Sequence, residues 1–116
     1  LALVTNFPDL PTAHRVFDTL NLWEYFDAIL VSAEVGYRKP SPIIFQEALE
    51  RLGVKPQEAV MVGDTLEADI EGARKLGVKT ILIDPERARR GEKPEGADAI
   101  IKSLRELEKA LENLIG

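Results

Sequence analysis

Apolar positions recur along this chain in two rhythms, short unbroken runs and a three-to-four-residue spacing, and the two alternate. Leu1–Val4 is an apolar run ending at Thr5–Asn6, which predicts a strand and then a turn. Ala13, Val16, Phe17 and Leu20 fall at i, i+3, i+4 and i+7, which predicts a helix over 12–20 with Thr12 as its cap. Ala28–Val31 reads as a second strand. Ser41–Pro42 opens a second helix: Ser supplies a cap oxygen, and Pro stands where its missing N–H costs nothing. Phe45, Ala48, Leu49 and Leu52 form the apolar face of that helix, and Gly53 ends it. Ala59–Val62 is a third strand, running into Gly63–Asp64. Leu66, Ile70, Ala73 and Leu76 line a third helix that stops at Gly77. Thr80–Ile83 is a fourth strand and Ala99–Ile101 a short fifth. The charged, Pro- and Gly-containing stretch 84–97 between them reads as a loop. The last helix opens with the capping box Ser103–Leu104–Arg105–Glu106 and points Leu104, Leu107, Leu111 and Leu114 inward.

Strands alternating with amphipathic helices imply an α/β fold, a doubly wound parallel sheet in three layers, Rossmann-like, with about five strands. The length fits one domain over residues 1–116. In such sheets the ligand site lies beyond the carboxyl ends of the strands. Thr5, Asn6, Ser32, Gly63, Asp64 and Asp84 occupy those positions.

Composition narrows the function. A net charge of −5 disfavours nucleic acid and anionic membrane surfaces as partners. No apolar run approaches a bilayer's span and no signal-peptide pattern opens the chain, so a cytoplasmic protein is expected. With no Cys there is neither a disulfide framework nor thiolate chemistry. Plentiful Glu, Lys and Arg beside scarce Asn, Gln and Met lean toward a heat-tolerant source. Leu1 starts inside an apolar run without a Met, which suggests truncation or engineering upstream.

Three short stretches carry candidate chemistry. In Met61–Asp69 a strand ends in Gly-Asp and a second Asp follows five residues on. Two carboxylates a turn apart at a helix start suit a hard cation such as Mg²⁺. Spacing alone leaves open that Asp64 caps the helix and Asp69 is solvated. In Arg38-Lys39-Pro40-Ser41-Pro42, the proline after Lys39 favours an extended backbone and fixes the base of a cationic side chain. The other reading is a surface lysine in a turn. Thr5, at a strand's end beside free backbone N–H groups, can donate to a phosphate, or form an ordinary turn with Asn6.

Taken in order, Val4-Thr5-Asn6, Arg38-Lys39-Pro40 and Gly63-Asp64 with Asp69 resemble the second, third and fourth motifs of the haloacid dehalogenase (HAD) hydrolase superfamily. The phrases Glu34–Phe45 and Val62–Gly77 are also close to what its phosphatases carry, and the likeness covers about residues 1–85. The resemblance implies Mg²⁺-dependent hydrolysis of a small phosphorylated molecule. Thr5 and Asn6 would bind the phosphoryl group, Lys39 would offset charge on nucleophile and phosphate, and Asp64 and Asp69 would hold or orient Mg²⁺.

The departure matters equally. The family's first motif, Asp-x-Asp-x-Thr, does not occur in this sequence, and its first Asp is the nucleophile. Neither Asp9 nor Asp84 has the partner Asp that would let it substitute. The cap domain that usually selects the substrate is missing too. The chain alone is therefore expected to be inactive, with Mg²⁺ binding weak or absent. In the family the missing strand is central. Without it, another segment or chain supplies it, or the neighbours close up in the flavodoxin-like order 2-1-3-4-5, which keeps every crossover right-handed.

Two other function classes remain. One is a non-catalytic engineered or excised flavodoxin-like scaffold or binding domain. The other is a receiver-like domain phosphorylated on Asp64, disfavoured because Thr5–Asn6 replaces the acidic pair such domains need. His14, the one histidine, reads as a surface or boundary residue. Trp23, Tyr25 and Phe26 read as packing at a layer edge or, as the alternative, a partner surface that could serve a homodimer. The basic run Arg87–Arg90 reads as a solvated loop.

Overall fold

The computed structural model describes residues 1–115. The chain comprises two compact units, Leu1–Lys55 and Pro56–Gly116.

The first unit runs β1 (Ala2–Thr5), α1 (Leu10–Thr19), a 3₁₀ turn (Leu22–Tyr25), β2 (Ala28–Val31), α2 (Ser32–Val35) and α3 (Pro42–Leu52). β1 and β2 are parallel, with Ala2 opposite Ala28 and Thr5 opposite Val31. Buried Ala13 and Phe17 of α1 pack with Val31, and Leu3, Phe7 and Ile29 join them. α3 lies against β1 and β2 and buries Ile44, Phe45 and Ala48. Fully burying an Ile or Phe contributes about 1.5–3 kcal/mol, so these side chains anchor the unit. Trp23 stacks edge-on against Phe17 at 5.3 Å and against His14 at 5.5 Å, yet remains 43% exposed. Its indole N–H donates to Asp18 Oδ1 at 2.7 Å.

The cap of α1 is Asp9, not Thr12. The Asp9 carboxylate accepts the Thr12 N–H at 3.0 Å and also the Thr12 hydroxyl. The helix starts two residues before the apolar period shows it, because Leu10 and Pro11 form its first turn. α3 follows expectation: the Ser41 hydroxyl accepts the Ile43 N–H, and Gly53 ends it at φ 68°, a left-handed conformation that suits glycine.

The second unit runs β3 (Val60–Gly63), a π-helical turn (Leu66–Glu71), α4 (Gly72–Arg74), β4 (Lys79–Ile83), α5 (Pro85–Arg89), β5 (Ala99–Ile101), a 3₁₀ turn (Leu104–Glu106) and α6 (Leu107–Ile115). Its sheet has the order β3-β4-β5, all parallel. On one face Ile81, Ile101 and Ala110 pack with Val60, Val62, Leu107, Leu111 and Leu114. On the other, Ile70, Leu82 and Ala97 pack with Leu66 and Ile100. β4 is therefore buried on both sides, as a central parallel strand should be. The Thr80 hydroxyl is buried there, but it donates to Gly96 O at 2.7 Å and accepts from Asp98 N–H.

Three local features differ from the sequence reading. Leu104 is 64% exposed instead of facing inward, because the last helix enters through a 3₁₀ turn. Glu106 reaches back to the Lys102 N–H at 2.8 Å, one residue before the expected box partner. Part of the supposed loop is α5, capped by Asp84 and led by Pro85. Arg87, Arg89 and Arg90 pair there with Asp84, Glu86 and Glu92, so the basic run is internally compensated.

The α/β class stands, with five strands among the described residues, paired in parallel within each unit and flanked by helices. Within each unit the strand pairs are those that the order 2-1-3-4-5 requires. The hydrogen bonds make two sheets, β1-β2 and β3-β4-β5. Right-handed crossovers and βα alternation are satisfied equally by one sheet or two, so those rules could not choose.

Candidate functional site

The sequence-predicted site residues fall into two groups, one in each unit. In the first unit Thr5 is the last residue of β1 and Asn6 begins the loop after it. Lys39 sits in a turn from Arg38 to Ser41, closed by the Ser41 N–H donating to Arg38 O at 2.9 Å, with a cis Lys39–Pro40 peptide at its centre. All three side chains are half-buried. Asn6 and Lys39 meet directly. Asn6 Oδ1 accepts the Lys39 N–H at 2.8 Å, and Asn6 Nδ2 donates to Lys39 O at 3.2 Å. The Asn6 side chain thus uses its oxygen and one of its two amide hydrogens on Lys39. As a phosphate ligand Asn6 can still offer its backbone N–H. Ser32, just after β2, donates its hydroxyl to Phe7 O at 3.1 Å and ties the two strand-end loops together.

In the second unit, β3 ends at Gly63 and the chain passes through Asp64 and Thr65 into the π turn. Ile70 N–H reaches Thr65 O at 3.3 Å, the i→i+5 bond of a π-helix, and Asp69 N–H reaches the same oxygen at 2.9 Å. The wider turn directs both Asp69 and Ile70 inward: they are 3% and 0% exposed. A buried carboxylate is costly unless it is bonded. Asp69 accepts the Thr65 N–H on Oδ2 at 3.2 Å. Asp64 is exposed, and its Oδ1 accepts the Thr65 hydroxyl at 3.0 Å. Asp64 is therefore not a helix cap and Asp69 is not solvated. Asp69 arranges the loop, and Asp64 projects from it.

Gly63 owes its place to space, not to a turn. A Cβ there would lie 2.4 Å from both Cβ and Oδ2 of Asp69. Only a residue without a side chain lets the Asp69 carboxylate press against the strand tip.

These carboxylates suit a Mg²⁺ ion of the sparing kind, held by one or two protein carboxylates with water and phosphate oxygens completing its shell. The exposed Asp64 is the residue that could hold it. Among the described residues no group of three or more His, Cys, Asp or Glu side chains gathers to form a full protein cage. Asp84, the other strand-end carboxylate, is spent on capping α5 through the Arg87 N–H at 3.1 Å. No helix among the described residues is long and apolar enough to cross a membrane.

Residues 36–107 match the family described as HAD-hydrolase-like. The chain is 43% identical over 109 residues to the phosphoserine phosphatase of Thermus thermophilus, covering 92% of this chain and 42% of that protein. It is 43% identical over 114 residues to the ribulose-1,5-bisphosphate 5-phosphatase of Halopiger xanaduensis, covering 92% of this chain and 47% of the relative. Among solved structures, a HAD phosphatase from Thermococcus onnurineus superposes with a TM-score of 0.82 at 38% identity, covering 96% of this chain and 49% of that one. A HAD-hydrolase from Bacillus subtilis bound to magnesium superposes with a TM-score of 0.79 at 27% identity, covering 97% of this chain and 48% of its own. This chain spans less than half the length of these relatives. Motif order, strand-end placement and identity agree: the chain belongs to the HAD-hydrolase-like family.

Proposed function

We propose that this chain carries the phosphate- and metal-binding remainder of a Mg²⁺-dependent phosphatase for a small phosphorylated metabolite, and that by itself it turns over no substrate. One observation carries the reading: the Gly63–Asp69 contact, which buries one carboxylate and presents the other at a strand tip. A solvated turn would need neither the glycine nor the buried acid.

Each side chain then has a defined task. The Thr5 hydroxyl and the Asn6 backbone N–H donate to phosphoryl oxygens. The Lys39 ammonium offsets negative charge on the phosphate, which matters because phosphoryl transfer depends on positioning and electrostatics. Asp64 supplies the carboxylate for Mg²⁺, while Asp69 keeps the Asp64 loop in shape. Bound Mg²⁺ would supply charge neutralisation at a phosphate oxygen. Formation of an aspartyl-phosphate needs an Asp nucleophile, and this sequence has no Asp-x-Asp to provide one.

The test is a two-dimensional NMR titration of the purified chain with Mg²⁺ and then inorganic phosphate. Mg²⁺ is expected to move amide signals of residues 63–69 weakly, and phosphate those of Thr5, Asn6 and Lys39. Asp64→Asn should remove the Mg²⁺ response. Unchanged spectra together with unchanged thermal stability would reject this reading and favour a non-catalytic scaffold.

A further inference from the structure

Asn6 and Lys39 are 33 residues apart, yet one side chain satisfies both main-chain polar groups of the other residue. The arrangement copies the pairing of a facing strand. It needs a donor and an acceptor side by side, which an Asn amide has; a carboxylate would bring acceptors only. Both partners have well-held backbones. Thr5, just before Asn6, is in register with Val31, and the Ser32 hydroxyl holds Phe7 O. On the other side, the turn around Lys39 is closed from Arg38 to Ser41.

We propose that Asn6 is a positioning residue: its amide clamps the main chain of Lys39 and so sets the point from which the Lys39 ammonium reaches an anionic oxygen. This rests on the reading of Lys39 as part of a phosphate site. A lysine has a flexible four-carbon stem, so fixing its base narrows the region its charge samples. That ordering is then in place before the anion arrives.

The experiment uses the whole chain as wild type, Asn6→Leu, Lys39→Ala and the double variant, with inorganic phosphate as the probe. Hydrogen exchange at the Lys39 amide reads the clamp directly. Asn6→Leu should speed it by about tenfold, with exchange at Phe17 and Val31 unchanged. Phosphate affinity should fall about three- to tenfold in Asn6→Leu. In the Lys39→Ala background the same change should cost nothing more, because its effect passes through Lys39. Should Asn6→Leu not fold, Asn6→Asp keeps the acceptor for the Lys39 N–H and loses the donor to Lys39 O, and a smaller rise in exchange is expected.

Additive losses in the double variant would overturn the proposal and make Asn6 a direct ligand. Faster exchange with unchanged phosphate affinity would overturn it as well, leaving the clamp merely structural. Unaltered exchange would show that there is no clamp. If the wild type binds no phosphate, the underlying phosphate reading fails and the positioning role with it, while the exchange result still reports separately on the contact.

Discussion

Gly63 and Asp69 compete for one space: a Cβ on the glycine would stand 2.4 Å from the Asp69 carboxylate oxygen Oδ2. The strand tip and the buried acid are therefore a matched pair. Gly63→Ala forces the Asp69 side chain or the π turn to shift. Overpacking of this kind costs about 1–3 kcal/mol. The expected outcome is a lower urea midpoint together with a lost or weakened Mg²⁺ response at Asp64. A variant as stable as the wild type, with NMR shifts of residues 64–69 unmoved, would show that the contact is loose.

The Asp9 cap predicts a pH dependence. The Asp9 pKa is lowered, first by the Thr12 hydroxyl, then by the Thr12 N–H and by the charge of Arg15. A carboxyl with a depressed folded value stabilises the fold above its unfolded value and loses that contribution as pH falls through the folded one. Asp9→Ala should therefore lower the melting temperature near neutral pH. The gap from wild type should close in acid, below the ordinary carboxylate range. A gap that is constant across that range would mean the cap's charge is immaterial.

Thr80 is fully buried and bonds to Gly96 O and the Asp98 N–H. Thr80→Val keeps the shape and removes the oxygen. Leaving buried groups unpaired costs about 1–3 kcal/mol. Chemical denaturation should show that loss, which falls on Gly96 O, while amide exchange at Asp98 should change little, because its N–H also donates to Thr80 O at 3.0 Å. Equal stability would mean that water or a local shift replaces the hydroxyl.

Phe17 centres the first unit's core and supports Trp23, the sole tryptophan. Phe17→Ala should cost about 3–5 kcal/mol, as aromatic truncations in cores do. Trp23 fluorescence should shift to the red as its ring loses its packing partner. A small loss with an unchanged spectrum would place Trp23 outside this core.

Much of this was legible in the sequence because burial leaves a period. β2 and β5 occupy the predicted residues, and α3 starts at its Ser-Pro signal. Asp64, Asp69 and Lys39 lie at strand ends or turns as their motifs imply. What escaped the reading depends on tertiary contact. The π turn inserts one residue into a helical period without leaving a pattern. Asn6 looked like half of a phosphate loop, and only folding puts its amide against Lys39, 33 residues on. Gly63 read as a turn residue, whereas its role is to make room.

We propose that membership of the HAD-hydrolase-like family and turnover separate in this chain. The most direct measurement is hydrolysis of p-nitrophenyl phosphate by the purified chain with excess Mg²⁺, compared with Asp64→Asn. The account predicts no release of nitrophenol above the buffer rate from either protein. Mg²⁺-dependent turnover by the wild type that Asp64→Asn abolishes would contradict it.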